Sequence, residues 1–177
     1  MSERSPEEYP RVLLSAGQID RRVQEMARQI SQDYRGQTIY AVGVLVNAFM
    51  FMADLVRHLE VPVICQFVRV ESRQPNPSTT EIFFAPEPDV KGRDVLLIEA
   101  LVKSGVTSEF LMRNLLGRGA RSVKLAVLLD KQSERRISLQ PDYFGFLLHE
   151  GFVVGYGLGA PDIGRNMPYI AAHSGSF

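Results

Sequence analysis

The residues best suited to chemistry lie together in Val95-Leu-Leu-Ile-Glu-Ala-Leu-Val-Lys-Ser-Gly-Val-Thr-Ser108. An apolar run ends in a short turn, and a helix starts just after it. Ser104 and Thr107 offer hydroxyls there, and Lys103 offers positive charge. Gly105 permits a backbone angle that lets N–H groups converge on an anion at a helix start. Such a turn suits phosphate. The alternative is a plain capped turn, in which Ser104 and Thr107 satisfy the first helical N–H groups. The residues alone support the two equally. Sugar-phosphate chemistry also calls for carboxylates, yet Ala100 and Lys103 stand where they are expected, beside Glu99. A charged lysine has donors and no acceptor. It becomes a base only if its pKa falls strongly, and a neighbouring phosphate works against that.

The elements that must position this turn follow from periodicity. Ser15 predicts a helix start, with Ile19, Val23, Met26, Ala27 and Ile30 at helical spacing. Residues 38–45 read as a buried strand, 47–59 as an apolar helix and 61–70 as a second strand. Residues 71–80 are rich in Ser, Pro, Asn, Gln and Arg and read as a mobile loop, with a short return strand at 81–84 and a turn at 86–92. A strand at 94–98, a helix at 107–116 closed by Gly117 and Gly119, and a strand at 122–129 come next. Short strands at 143–146, 152–154 and near 169–171 complete the chain. Alternating strands and helices, with nearly continuous apolar strands, predict an α/β fold whose parallel sheet is covered on both faces. Such sheets bind ligands at the carboxyl ends of their strands, here the turns after Leu45, Ile98, Leu129 and Val154.

Composition sets outer bounds. At 177 residues the expectation is a flexible arm over 1–10 and a single domain over 11–177. Formal net charge is zero, which gives no bulk attraction toward nucleic acid or an anionic membrane. Basic runs at 118–124 and 131–136 are short and read as solvated loops or helix ends. Cys65 is the single cysteine, so no internal disulfide forms, and it reads as a core residue. With no apolar h-region at the start and no apolar run of membrane-spanning length, the expected location is cytoplasmic.

Ordered matches along the chain carry a resemblance. They include Val42-Gly-Val-Leu45, Ala48-Phe-Met-Phe-Met-Ala-Asp-Leu55, Gly92-Arg-Asp-Val-Leu96, Ser122-Val-Lys-Leu125 and Leu128-Leu-Asp-Lys131. Pro141-Asp-Tyr-Phe-Gly-Phe146 and Phe152-Val-Val-Gly-Tyr-Gly-Leu158 continue them. From Arg11 to Tyr169 the chain resembles the hypoxanthine-guanine phosphoribosyltransferases, a branch of the type I phosphoribosyltransferases. The resemblance implies a parallel sheet flanked by helices, with a small hood from the chain ends. It also implies transfer of a phosphoribosyl group from phosphoribosyl pyrophosphate to a purine, with magnesium, and a homodimer or homotetramer.

Position by position, the resemblance divides. The family signature Glu-Asp-Ile-Ile-Asp-Thr-Gly-Leu-Thr is here Glu99-Ala-Leu-Val-Lys-Ser-Gly-Val-Thr107. The acidic pair implied to bind the ribose diol and support metal is reduced to Glu99. The aspartate implied to accept a proton near purine N7 is Lys103. A Lys-Gly turn expected to touch pyrophosphate is Val46-Asn47, a Ser-Tyr pair in the mobile loop is Ser72-Arg73, and a metal-associated aspartate falls on Gly159. Lys103, Ser104, Gly105, Val106 and Thr107 keep the 5′-phosphate cradle. By resemblance Lys131 hydrogen-bonds the exocyclic oxygen of the purine, Phe152 stacks on the base and Val153 lends backbone contacts. Arg165 keeps a pyrophosphate-contacting position; Asp162 lies near it at a different spacing.

The losses fall on the side that handles diol, magnesium, pyrophosphate and proton transfer. Each positioned charge removed costs about 3 kcal/mol of transition-state stabilisation. The expectation is a protein that binds a purine nucleotide of the GMP or IMP type, with phosphoribosyl transfer lost or severely weakened and no cofactor or catalytic residue assigned. An active enzyme of purine salvage, using phosphoribosyl pyrophosphate and magnesium, is the first alternative. An interaction protein with an empty pocket is the second.

Overall fold

Ser15 starts the first helix as its hydroxyl and chemistry predict. The Gln18 backbone N–H donates to Ser15 Oγ at 3.4 Å, and the Ser15 N–H donates back to Gln18 Oε1 at 3.0 Å. This reciprocal cap sets α1 (Ala16–Asp33), whose Ile19, Val23, Met26 and Ile30 share one buried face. The structure is a computed structural model and describes residues 11–72, 80–84, 89–149, 151–159 and 164–173. The expected arm at 1–10, Arg73 and Asp162 lie outside these residues.

The remaining elements are β1 (Val12–Leu14), β2 (Ile39–Leu45), α2 (Phe49–Arg57), β3 (Val63–Ser72), β4 (Thr80–Phe84) and β5 (Asp94–Val102). They continue with α3 (Val106–Gly117), β6 (Ser122–Asp130), β7 (Tyr143–Leu147), β8 (Phe152–Val154) and β9 (Ile170–His173). The main sheet has the order β4-β3-β2-β5-β6-β7. Its strands β3, β2, β5, β6 and β7 are parallel, and β4 returns antiparallel on the edge. From β2 the chain moves outward to β3, then crosses back to β5 on the other flank of β2. The carboxyl ends of β2 and β5 therefore flank the switch point, where sheets of this kind open a crevice.

Strand alternation divides the core. Leu96, Ile98 and Ala100 of β5 face α1 and α2, where they meet Met26, Phe51 and Leu55. Val95 and Leu97 face the opposite layer, against Leu111 and Leu115 of α3. A second small sheet, β1-β9-β8, joins the two chain ends as a hood. The Tyr156 hydroxyl ties it to α2 by donating to the Asp54 carboxylate.

Several expectations are corrected. β5 runs to Val102 rather than Ile98, because Glu99 to Val102 stay paired with β6. β6 likewise ends at Asp130, so both functional turns start later than periodicity indicated. The apolar cluster that marked Leu129 as a strand end simply stops before the pairing does. The loop expected at 71–80 is trimmed on both sides, since Glu71 and Ser72 pair with Glu81 and Thr80. β1 was not anticipated: three residues carry too little periodicity, and pairing with β9 creates it. Cys65 is exposed rather than in the core, because its strand lies near the sheet edge with that face only partly covered. Partial burial still pushes its thiol pKa up.

Two glycines separate steric from conformational cost. Gly155 has φ +106°, and a Cβ there would collide with the Tyr169 carbonyl at the joint of the hood. Gly36 has φ +74° with open space around it. Gly155→Ala should lower the melting temperature by roughly 8 °C or more, and Gly36→Ala by roughly 2–4 °C, followed by circular dichroism.

Candidate functional site

A cleft of about 430 Å³ opens at the switch point, lined by Val44, Leu45 and Asn47 from the β2 turn and by Glu99, Lys103, Ser104, Gly105 and Thr107 from β5 and its turn. Gly105 occupies φ +82° at the N-cap of α3. Its Cα side is closed by Ile137, Leu139 and Arg135, which would lie 3.1–3.3 Å from an added Cβ. Both the angle and the space therefore require glycine. No side chain caps the α3 start. Ser104 Oγ lies 3.4 Å from the Val106 N–H, a long contact, and Thr107 is exposed. The plain capped turn allowed by the sequence is realised in part, through this one Ser104 bond to the Val106 N–H. The first N–H groups of a 12-residue helix stand beside hydroxyls and an exposed lysine.

Glu99 and Ala100 part company by strand alternation. Glu99 lies on the α3 face, 8% exposed, and interacts with the Ser108 hydroxyl. Its Oε1 is buried without a hydrogen-bond partner. Burial pushes the carboxyl pKa up to about 7, against the lowering effects of Ser108 and the Arg135 charge. Ala100 is 2% exposed and its methyl group belongs to the core toward α1 and α2.

Arg135 organises the neighbouring turn. It forms an ion pair with Asp130, which is 1% exposed, and donates from Nη1 to the Lys103 carbonyl at 2.8 Å. The Arg136 N–H donates to the Ser104 carbonyl at 3.0 Å, so the segment after β6 holds the cradle from outside. The sequence reading placed 131–136 in solvent. Lys131 is instead 5% exposed and the Arg135 side chain 13%. Their burial depends on Asp130 and Glu134, partners that a count of positive charge ignores. The Lys131 ammonium donates to the Gly151 carbonyl at 3.0 Å and contacts Glu134 Oε1 at 2.5 Å.

Phe152 is half-buried in β8, its ring 5.7 Å from that of His173 in an edge-on arrangement. Val153 beside it is buried and pairs with Ala172. Arg165 reaches the β2 turn, donating from Nη1 to Asn47 Oδ1 at 2.6 Å and to the Gly157 carbonyl at 2.7 Å. Gly159 has φ +134°. The structure thus gathers Glu99, Lys103, Ser104, Gly105 and Thr107 in one cleft, ties Arg165 to its lining residue Asn47, and links Lys131 to Gly151 next to Phe152 outside that lining. Sequence reasoning missed Asp130, Glu134 and Arg135; the one available signal was an acid and a following basic run at the end of an apolar strand.

A parallel sheet with a phosphate-type turn at its switch point and an antiparallel hood defines the type I phosphoribosyltransferase class. Residues 13–160 match the phosphoribosyl transferase domain. The chain is 37% identical over 163 residues to the hypoxanthine-guanine phosphoribosyltransferase of Bacillus subtilis, covering 90% of this chain and 91% of that protein. It is 36% identical over 178 residues to the Mycobacterium tuberculosis hypoxanthine-guanine phosphoribosyltransferase, covering 96% and 88%. A crystal structure of a hypoxanthine-guanine phosphoribosyltransferase from Bacillus anthracis superposes with TM-score 0.86 at 32% identity, covering 93% of this chain and 98% of that one. A ternary substrates complex of the Trypanosoma cruzi hypoxanthine phosphoribosyltransferase matches with TM-score 0.85 at 30% identity, covering 91% and 93%. The chain belongs to the phosphoribosyltransferase family, in its hypoxanthine-guanine branch.

The raised Glu99 pKa has a consequence for stability. A carboxyl whose folded pKa exceeds its unfolded value stabilises the fold fully below about pH 4.5, and this contribution is lost as pH rises through about 7. The shift from 4.5 to about 7 is worth about 3 kcal/mol, to order of magnitude. Urea unfolding of the native protein should show stability falling between pH 5 and 8. In Glu99→Gln that slope should flatten.

Proposed function

We propose that this protein binds a purine nucleoside monophosphate of the GMP or IMP type, and that its phosphoribosyl transfer is severely weakened or lost. The observation that carries the reading is the charge pattern of the cleft. Lys103 stands at its turn, and Glu99 is the one carboxylate among its described lining residues. The α3 start with Ser104, Gly105, Val106 and Thr107 would take the 5′-phosphate through backbone N–H groups and hydroxyls. Lys131 would donate to the purine oxygen, Phe152 would stack on the base, and Val153 would present its backbone.

The transfer chemistry has less support. Resemblance implies magnesium, a hard cation held by carboxylates together with substrate phosphates. Glu99 offers one unpartnered oxygen, but a carboxyl with pKa about 7 is half protonated at neutral pH. The Asp130 carboxylate is taken by Arg135 and Gln132. Among the described residues no group of three or more His, Cys, Asp or Glu could hold a metal ion. These donors fit a protein-held magnesium poorly, so no step is assigned to it. On the pyrophosphate side, Arg165 is engaged by Asn47 and the Gly157 carbonyl. A charged ammonium at position 103 has no lone pair for the proton a base must take.

A second reading, an active enzyme taking a purine base and phosphoribosyl pyrophosphate, draws support from 36–37% identity to hypoxanthine-guanine phosphoribosyltransferases. A homodimer or homotetramer is part of either proposal; exposed Phe49, Ile64 and Phe67 are apolar surface that a second copy would cover. The core assignment of Phe51, Met52 and Leu55 leaves Phe49 as the exposed aromatic of α2. No described helix is long and apolar enough to cross a membrane.

Calorimetry should detect binding of GMP or IMP at millimolar concentration or below, and Phe152→Ala should weaken it roughly tenfold. No binding of either nucleotide would end the proposal. A coupled assay for pyrophosphate release with hypoxanthine or guanine should give little or no turnover. Restoring an acceptor with Lys103→Asp should raise any residual rate by on the order of 10²-fold. Robust turnover in the native protein that vanishes in Glu99→Gln would establish the second reading instead.

A further inference from the structure

The side chains that support the Gly105 turn also face a second hollow. It has a volume of about 370 Å³ and opens between the segment after β6 and the edge strand β7. It shares no lining residue with the cleft at the switch point. Ile137, Leu139, Pro141 and Phe144 give it an apolar wall, and Ser138 and Gln140 bring exposed polar groups. Phe144 leaves 39% of its surface exposed, much for an aromatic side chain. Asp130 and Arg135 also line the hollow, but they neutralise one another, and Gln132 Nε2 donates to Asp130 at 3.1 Å. The described lining therefore carries no unpaired charge.

These features select the occupant. A further strand has no place on this edge, because Arg22 takes acceptors that it would use. Arg22 donates from Nη2 to the Phe144 carbonyl at 2.8 Å and from Nε to the Gly145 carbonyl at 3.0 Å. An anion gains little, since Arg135 is already paired. A small neutral ligand remains, flat enough to lie on the Phe144 ring, with donors and acceptors on its edge for Gln140 and Ser138. An apolar wall with a few polar groups is the usual make-up of small-molecule sites, and nucleobases stack on aromatic rings. We infer that this hollow is a second ligand site, for a neutral planar heterocycle of the nucleobase type, and that it is coupled to the cradle. Arg135, Ile137 and Leu139 line the hollow and also pack 3.1–3.3 Å from where a Gly105 Cβ would stand. Arg135 holds the Lys103 carbonyl as well. An occupant resting on these three side chains favours the present geometry of the α3 start. It therefore strengthens anion binding there, and the anion strengthens its binding in return. The coupling rests on the phosphate reading above; the site itself does not.

Adenine is the probe, a neutral flat base without the 6-oxo group expected of the Lys131 subsite. Benzoate, flat but anionic, is the control. In NMR titrations of the native protein, adenine at millimolar concentration should saturably shift the backbone amides of residues 137–140 and of Phe144. Benzoate should not. Phe144→Ala should weaken adenine binding roughly tenfold, the loss of one stacking partner, while Phe152→Ala leaves it unchanged. Gln140→Ala, at an exposed position, should weaken it too and guards against a folding defect in the first variant. Calorimetry with saturating adenine should show inorganic phosphate binding about fivefold more tightly. Absence of saturable shifts overturns the site, as do shifts gathered around Phe152, an affinity unmoved by Phe144→Ala, or benzoate binding as tightly as adenine. Phosphate affinity that adenine leaves unchanged overturns the coupling. If phosphate does not bind at all, the phosphate reading fails and the coupling falls with it, while the adenine titration still decides the second site.

Discussion

The carboxyl edge of the sheet depends on the Arg135 guanidinium. It neutralises Asp130, which is almost wholly removed from solvent at the end of β6, and its other nitrogen holds the Lys103 carbonyl at the end of β5. Its methylene chain packs on Gly105, where the chain takes a left-handed turn into α3. One side chain thus fixes the distance between two strand ends and the entry angle of the helix whose N–H groups face the cleft. Removing one member of such a buried pair strands the other charge, at a cost of about 3–5 kcal/mol. The cradle is therefore rigid for reasons that lie outside it.

Strand alternation acts on this frame with unequal results. Glu99 points toward α3, where Ser108 and Arg135 compensate burial only in part, so the carboxyl is half neutral near pH 7. Ala100 points the other way and becomes part of the apolar layer under α1 and α2. A charge at that depth would need its own partner or a loss of packing. The cleft is accordingly short of negative charge and rich in donors, a field suited to a phosphate and to acceptor atoms on a base. At the far wall Asn47 and Arg165 complete one another, which reduces the positive charge offered there to a second anion.

Much of this was legible beforehand. The apolar run before Glu99 announced a buried strand, because a strand covered on both faces needs few polar residues. Ser15 announced a helix start, and Gln18 completes the cap in the fold. The glycine, serine and threonine of the turn suggested an anion cradle, and a capped helix still fits them, since Ser104 Oγ accepts from the Val106 N–H. The strand ends were misplaced, since pairing with a neighbour carries β5 past its last bulky aliphatic cluster. Within the run 131–136, Lys131 and Arg135 were misjudged because their charge is cancelled by Glu134 and Asp130 in space.

Sequence alone determined the order of the main-sheet strands and their helices, the parallel sheet, the family resemblance and the exchange of acceptors for a donor at Lys103. These are properties of residue type and local period, and they survive without knowing the partners. Tertiary structure alone decided which side of β5 Glu99 faces, how far burial shifts its proton affinity, and that Glu134 pairs with the buried Lys131. It also joined Asn47 to Arg165 across 118 residues. Such facts depend on strand register and crossover, which bring distant residues within a few ångströms, and no local pattern encodes that distance.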